Sequence, residues 1–247
     1  MLPCNGGVEA VETACKLARR YAYLVKGIPD NQAKILFPKG CFWGRTITAS
    51  GACDDPVRYT NFGPFTPGFE LFNYNDVQDL KTKLETDKNI CAVVVEPIQG
   101  EAGVIIPNKG YLKEVSKLCK KHNVLLVTDE VQTGWGRTGK LFCYEYEDVK
   151  PDIVTVGKAL SGGMMPVSAA FANNNIMDLI KPGDHGSTFG GNPLGMAVSK
   201  VAIETLIEEK MVENSAKMGE ILLDTLNSSI KSTMITDIRG KGLFVGL

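Results

Sequence analysis

Histidine is scarce in this chain of 247 residues, and long apolar segments are absent. Only His122 and His185 are present, so the sequence argues against a histidine-rich metal centre and we expect no metal. No apolar run reaches the roughly 20 residues that a membrane-spanning helix needs. The formal net charge of -1 provides no basic surface for nucleic acid or for an anionic membrane. Small metabolites are the ligands that this composition still allows.

Paired cysteine motifs are also lacking. The seven cysteines are odd in number and never form a Cys-x-x-Cys pair, which argues against both a disulfide framework and a zinc site. A reducing intracellular compartment, either the cytoplasm or the mitochondrial matrix, fits this usage. The cysteines are Cys4, Cys15, Cys41, Cys53, Cys91, Cys119 and Cys143.

Strand-like and helix-like segments alternate along the chain. This alternation predicts an α/β fold in which helices cover a mostly parallel sheet. Apolar residues spaced three and four apart predict helices over 8–25, 112–119 and 193–207 and from residue 212 onward. Apolar runs predict strands over 35–37, 90–95, 124–127 and, more weakly, 166–172. We expect a loop at the start of the chain and a turn over 239–242 that leads into a final strand.

Two of these apolar runs lead into residues with reactive side chains. Lys158 follows the run 153–156, and Asp129 follows the run 124–127. Since ligands of open α/β folds bind at the carboxyl edge of the parallel strands, we expect both side chains at that edge. A lysine there loses hydration, its pKa falls, and its neutral amine can condense with an aldehyde. Pyridoxal phosphate needs such a lysine for its aldehyde and a carboxylate for its ring nitrogen. A solvated lysine is the simpler alternative, which the neighbouring Asp129 disfavours.

Glycine-rich segments precede two of the predicted helices. Gly7 and Val8 open the first helix, where free N–H groups and the helix dipole favour a phosphate. Ser187 and Thr188 precede another helix, and their hydroxyls suit phosphate oxygens. A helix start or a plain turn would explain either segment as well. Phe42 either stacks on a cofactor ring or fills the core.

The sequence contains one nucleotide-binding motif and lacks another. Residues 134–139 match Gly-x-Gly-x-x-Gly, which leaves open a nicotinamide-dependent oxidoreductase. The context disfavours that enzyme, because residues 129–133 separate the glycines from the strand and 140–148 show no helical stripe. No Gly-x-x-x-x-Gly-Lys-Ser/Thr motif occurs, so a nucleoside triphosphatase is disfavoured too.

Four segments taken together resemble the class III, subgroup II aminotransferases of pyridoxal phosphate fold type I, and this resemblance runs the whole length of the chain. The segments are EPIQGEAG at 96–103, DEVQTG at 129–134, GKALSGG at 157–163 and HGSTFGGNP at 185–193. The resemblance implies pyridoxal 5'-phosphate as cofactor and a homodimer with shared active sites. It also implies that residues 1–208 are the central part of the cofactor-binding large domain and that 209–247 begin a smaller C-terminal α/β domain.

The resemblance assigns roles around the cofactor. Lys158 would carry it as a Schiff base and would move the proton between cofactor and substrate carbon. Asp129 would pair with the pyridine nitrogen, Gln132 would hydrogen-bond the phenolic oxygen, and Phe42 would stack on the ring.

For the cofactor phosphate, the resemblance points to two segments that are far apart in the sequence. Gly7 and Val8 would supply backbone N–H groups. Ser187 and Thr188 would reach the phosphate of the neighbouring subunit's cofactor.

Two further residues resemble substrate-binding positions of the family. Arg45 would take a carboxylate of glutamate or 2-oxoglutarate, and Glu101 would cover a second arginine while the amino donor reacts. The alternatives are a surface salt bridge for Arg45 and a solvated loop acid for Glu101. The implied reaction transfers the δ-amino group of ornithine to 2-oxoglutarate, giving glutamate semialdehyde and glutamate. Acetylornithine, 4-aminobutyrate or a catalytically inactive truncated homologue remain alternatives.

The chain also departs from the family pattern. Gly6 stands where the family commonly has Ser or Thr, and Met164 and Met165 replace a pair that often includes an aromatic residue. The chain opens on a loop and stops within an apolar strand, so we expect a fragment that lacks both termini. Substrate-contacting tyrosines and the second arginine are then expected outside it.

Overall fold

The fold is built on a seven-stranded sheet with strand order β1-β7-β6-β5-β4-β2-β3, in a computed structural model that describes residues 1–247. The strands of this sheet are β1 (Leu2–Cys4), β2 (Lys34–Pro38), β3 (Phe69–Phe72), β4 (Ile90–Val95), β5 (Leu125–Asp129), β6 (Ile153–Val156) and β7 (Ser168–Ala172). A separate two-stranded sheet pairs β8 (Arg239–Lys241) with β9 (Phe244–Gly246).

Eight α-helices surround the sheets: α1 (Gly7–Tyr21), α2 (Ile47–Gly51), α3 (Pro56–Tyr59), α4 (Val77–Thr86), α5 (Tyr111–Lys121), α6 (Asn174–Met177), α7 (Pro193–Glu208) and α8 (Met211–Ser229). A π-helical turn (Ala22–Lys26) extends α1, and 3-10 turns span Cys143–Glu147 and Lys158–Ser161. No helix is both long enough and apolar enough to cross a membrane.

Strand direction determines which side chains can meet. The strands β2 to β6 are all parallel, whereas β7 is antiparallel to both of its neighbours, β6 and β1. Because β1 therefore points in the same direction as β6, the carboxyl ends of β1, β4, β5 and β6 all lie at one edge of the sheet. The predicted α/β fold with a mostly parallel sheet is confirmed.

The core has one layer on each face of this sheet. In β4 all six residues are buried, as expected for a central parallel strand. Its side chains alternate between the faces: Ala92 and Val94 pack in the layer under α1, whereas Val93 and Val95 pack under α4 and α5. Burying one such valine fully contributes about 1.5–3 kcal/mol, so the alternation fixes the register of the strand.

Some elements differ from the sequence predictions. Leu2–Cys4 forms a strand and not a loop, and Arg239–Lys241 is the first strand of a hairpin and not a turn. Three-residue strands are too short to show an alternating pattern in the sequence. The strand β1 forms by pairing with the distant β7, and β8 forms by pairing with the adjacent β9. The strand β3 and the helices α2, α3, α4 and α6 were not predicted. The domain boundary after residue 208 remains a prediction.

Candidate active site

A cleft of about 200 Å³ opens at the carboxyl edge of the sheet. Six of the ten predicted site residues line it together: Gly7, Val8, Phe42, Asp129, Gln132 and Lys158. The other lining residues are Trp43, Gly44, Glu96 and Val131. The shared edge of the parallel strands accounts for this grouping, because β5 ends at Asp129 and β6 ends two residues before Lys158.

Asp129 is buried, and its carboxylate is held in a defined orientation. Oδ1 accepts hydrogen bonds from the Val131 backbone N–H (3.0 Å) and from Thr155 Oγ1 (3.1 Å). Thr155 lies directly opposite Asp129 in the β5–β6 register. Burial raises the pKa of Asp129 to about 6, while these two hydrogen bonds and the Lys158 charge oppose the rise. Oδ2 makes no hydrogen bond, so one oxygen is left for a ligand in the cleft.

Lys158 lies where the chain turns out of β6. Its φ of 44° is in the left-handed region, which is strained for a residue other than glycine. The side chain is exposed, so the loss of hydration expected from the sequence is wrong for this chain. The reason is its position between two openings, since Lys158 lines both the small cleft and a wider apolar cleft of about 1100 Å³.

The amino terminus of α1 faces the same cleft. Its first N–H groups have no partner within the helix, and Gly6 offers no side chain to cap them. Ser168 Oγ donates to the Gly6 carbonyl oxygen (2.7 Å) and ties this end of the helix to β7. A Cβ on Gly7 would come 2.8 Å from Val131 Cγ1, so only glycine allows this close approach. The free N–H groups and the helix dipole form an anion site.

The neighbouring aromatic residues Phe42 and Trp43 lie in different surroundings. The sequence left open whether Phe42 fills the core or stacks on a cofactor ring. Trp43 is buried and stacks on Phe37 with ring centroids 5.0 Å apart, so it fills the core. Phe42 is only half-buried and lines the cleft. The Arg58 guanidinium also lies over its ring, with the guanidinium carbon 4.8 Å from the ring centroid.

Glu96 is a cleft residue that the sequence reasoning missed. It follows β4 directly, and its buried carboxylate accepts from two backbone N–H groups, Phe42 to Oε1 (3.0 Å) and Gly100 to Oε2 (3.1 Å). Burial and the neighbouring Asp129 charge raise the pKa of Glu96 to about 8. Glu96 thus ties together the loop that carries Phe42 and the loop that precedes Glu101. The signal was present, because a carboxylate after a buried parallel strand is the same pattern that identified Asp129.

We expect Glu96→Gln to loosen both loops. An amide can accept from only one of the two backbone N–H groups, and a buried donor left unpaired costs about 1–3 kcal/mol. The affinity for added pyridoxal phosphate should fall, because Phe42 lies in one of the two loops. The melting temperature does not report this loosening, since the amide also removes the cost of burying a carboxylate whose pKa is raised to about 8. Cofactor titration measures the effect, and Glu114→Gln, at an exposed position on α5, is the matched control and should leave the affinity unchanged. Equal losses in both variants would contradict the role given to Glu96.

The predicted substrate residues lie at the rim. Gln132 Nε2 donates to Glu101 Oε1 (3.1 Å), which connects Glu101 to a cleft residue. A Cβ on Gly100 would collide with the Gln132 side-chain amide, so a larger residue there would displace Gln132 from its contact with Glu101. Arg45 is exposed, and its guanidinium carbon lies 5.7 Å from the Phe42 ring centroid.

Ser187 and Thr188 do not join this group. They line a second cleft of about 350 Å³ on the other side of Val8, and both side chains are exposed. This second cleft is lined partly by α1 and contains neither Lys158 nor Asp129.

The glycine-rich segment 134–139 forms turns and is followed by a 3-10 turn, not by an α-helix. A dinucleotide fingerprint needs a helix amino terminus for the pyrophosphate, so the oxidoreductase alternative is not supported.

The side chains of the cleft fit pyridoxal phosphate. A buried carboxylate with one free oxygen suits a protonated ring nitrogen, a helix amino terminus suits the phosphate, and Lys158 supplies an amine between them.

Comparisons with known proteins agree with this chemistry. The chain is 57% identical over 243 residues to the mitochondrial ornithine aminotransferase of Drosophila melanogaster, covering 98% of this chain and 56% of that protein. An ornithine aminotransferase structure from Toxoplasma gondii, described as having partial pyridoxal phosphate occupancy at its active site, matches with a TM-score of 0.97 and 48% identity, covering 99% and 57% of the two chains. A structure of acetylornithine aminotransferase from Elizabethkingia anophelis matches with a TM-score of 0.86 and 51% identity, covering 99% and 58%.

The chain thus spans just over half the length of these relatives. The family model for class-III aminotransferases matches residues 1–247, and the cofactor of that family is pyridoxal 5'-phosphate. This chain belongs to the class-III aminotransferase family.

Proposed function

We propose that this chain forms part of an enzyme that transfers the δ-amino group of ornithine to 2-oxoglutarate, giving glutamate semialdehyde and glutamate. The observation that carries the proposal is the single cleft in which Lys158 and Asp129 lie beside the amino terminus of α1. The relatives named as ornithine aminotransferases support the choice of amino donor.

Each cleft residue has a task in this reaction. When bound, pyridoxal phosphate draws electrons from the substrate carbon that loses its proton. The free Oδ2 of Asp129 accepts a hydrogen bond from the protonated ring nitrogen and keeps that charge in place. Lys158 Nζ would hold the cofactor aldehyde and, once the substrate amine has displaced it, would be free to take and return the substrate proton as general base and acid. Gln132 donates a hydrogen bond to the phenolic oxygen.

The remaining cleft residues hold the cofactor and keep water out. Backbone N–H groups of Gly7 and Val8 bind its phosphate at the positive end of the α1 dipole. The Phe42 ring covers one face of the pyridine ring and excludes water from it.

Substrate choice depends on the rim of the cleft. Arg45 binds a carboxylate of 2-oxoglutarate or glutamate. Gln132 holds Glu101 at the rim of the cleft. Glu101 covers a second arginine while the δ-amino substrate reacts and uncovers it for the dicarboxylate. Transfer from acetylornithine is the second candidate, because a relative of that name is 51% identical to this chain.

The proposal includes a homodimer. Ser187 and Thr188 are exposed and lie in a separate cleft, which suits hydroxyls that bind the phosphate of the neighbouring subunit's cofactor. We place the enzyme in the cytoplasm or the mitochondrial matrix, in line with its cysteine usage and with the mitochondrial Drosophila relative.

An absorbance spectrum of the protein purified at the full length of its relatives, of which this chain spans just over half, tests the cofactor assignment before and after borohydride. We expect a visible band from bound pyridoxal phosphate that borohydride removes. Half-reactions with ornithine, acetylornithine and 4-aminobutyrate then test the donor, and ornithine should remove the band fastest. Faster reaction with acetylornithine would establish the second candidate, and no reaction with any donor would overturn the proposed function.

A further inference from the structure

The loop of residues 181–191, which carries Ser187 and Thr188, is anchored to α1 through a histidine. His185 Nε2 lies 2.9 Å from Thr13 Oγ1, and its Nδ1 lies 2.9 Å from Lys16 Nζ. Thr13 is fully buried, whereas Ser187 is exposed. The imidazole thus joins a rigid helix to a loop of otherwise exposed residues.

These partners allow only one protonation state of His185. The single hydroxyl proton of Thr13 is donated to the Glu9 carbonyl oxygen (2.7 Å), so Thr13 Oγ1 must accept from the ring and Nε2 carries a proton. Lys16 Nζ can only donate, so Nδ1 must be unprotonated. Both contacts exist together only in the neutral ring with its proton on Nε2.

Protonation of Nδ1 would break the contact with Lys16. The imidazolium would then have no lone pair for the ammonium group, and two positive charges would face each other at hydrogen-bond distance.

The surrounding charges favour the same state. Burial, followed by the Lys16 charge, lowers the pKa of His185 below its ordinary value. On α1, Lys16 and Arg20 face the loop; Arg20 pairs with Asp184 of the loop itself. The acidic side chains near the ring are Glu9 and Glu12 on α1, which also line the cleft. Glu9 is engaged by the side-chain amide and backbone N–H of Asn5.

The position of Ser187 depends on the same anchor. Asn5 Nδ2 donates to Ser187 Oγ (3.1 Å), and Ser187 Oγ in turn accepts from the Gly190 N–H (2.9 Å). The Gly190 contact is local to the loop, whereas the Asn5 contact forms only when the loop is docked, so docking adds the second partner that orients Ser187.

We propose that His185 is a positioning residue: its neutral imidazole strengthens the docking of the 181–191 loop on α1 and so presents Ser187 and Thr188, whereas its protonation weakens that docking. The Arg20–Asp184 ion pair and the hydrogen bond from Lys16 Nζ to the Asp184 carbonyl oxygen (3.4 Å) still tether the loop when His185 is protonated. The presentation to a cofactor phosphate rests on the proposed function, while the docking of the loop does not. Since the ring is neutral in the docked state, docking is strongest at neutral pH and weakens as the pH falls through the lowered pKa of His185.

Hydrogen–deuterium exchange of the segment 181–192 tests the docking directly. The protein is measured with and without pyridoxal phosphate, from about pH 7.5 to about pH 5, with rates corrected for intrinsic exchange. In the parent protein, protection of this segment should fall by about threefold or more at the acidic end. His185→Asn keeps an acceptor near Lys16, and His185→Gln keeps a donor near Thr13, but neither titrates, so both should lose this pH dependence. His122→Gln, which removes the other histidine, is the matched control and should keep it.

The effect of docking on cofactor binding is measured separately, as the dissociation constant of pyridoxal phosphate over the same pH range. The constant should rise on acidification in the parent and should change less in His185→Gln. Unchanged protection in the parent, or an unchanged pH profile in both His185 variants, would overturn the inference. A protein that shows the pH-dependent protection but binds no pyridoxal phosphate would leave the docking correct and the proposed function wrong.

Discussion

Lys158→Ala removes transamination in the cofactor-loaded enzyme, with turnover falling by at least about three orders of magnitude. No other lysine lines the cleft at the carboxyl edge of the sheet, so no other amine can both bind the cofactor aldehyde and move the substrate proton. The phosphate contacts of Gly7 and Val8 remain, so we expect pyridoxal phosphate to bind reversibly. Steady-state turnover of ornithine, with a spectrum of the bound cofactor, measures both effects.

Lys140→Ala is the matched control for this variant. Lys140 also follows a glycine and is exposed, but its Nζ lies 5.9 Å from the Tyr146 ring centroid, away from the cleft. Its turnover should stay close to that of the parent. Borohydride reduction followed by peptide mass analysis identifies the lysine that holds the pyridoxyl group. A label on a lysine other than Lys158 would make the central assignment wrong.

The grouping of the cleft residues could be predicted because it depends on strand direction alone. Asp129 and Lys158 each follow an apolar run, and parallel strands bring such positions to one edge. The position of Gly7 needed one more fact, the pairing of Leu2–Cys4 with β7. That strand is too short to be recognised in the sequence, yet its direction brings the amino terminus of α1 to the cleft.

Contacts between residues far apart in the sequence could not be predicted. His185 and Thr13 are separated by 172 positions, and neither residue type has a pattern that indicates the other. Glu96 shows the opposite case, since its place after β4 was visible but its two backbone partners were not. The exposure of Lys158 was mispredicted because solvent access depends on the surrounding loops, whereas strand periodicity reports only the burial of the strand itself.

Asp129→Asn should impair catalysis and stabilise the cofactor-free protein. For catalysis, the amide carries no charge to keep the ring nitrogen protonated, so proton abstraction should slow by at least about two orders of magnitude in single-turnover experiments. The cofactor should still attach to Lys158, because that step needs only the amine. An unchanged single-turnover rate would contradict the role given to Asp129.

The effect on stability has the opposite sign. Burial raises the pKa of Asp129 to about 6, so the folded state binds this proton more tightly than the unfolded chain, whose aspartate titrates near 4. The ionised carboxylate therefore costs folding free energy that is absent below about pH 4, grows as the pH rises and is complete above about pH 6. Asparagine keeps the acceptor for Val131 and Thr155 without this cost. Unfolding of the cofactor-free proteins should show the variant more stable by on the order of 1–3 kcal/mol at pH 7.5, with the difference shrinking toward pH 4. If the difference in free energy of unfolding between the two proteins does not depend on pH, burial does not destabilise the Asp129 carboxylate. Asp129 would then lower the stability of the cofactor-free protein by nothing measurable.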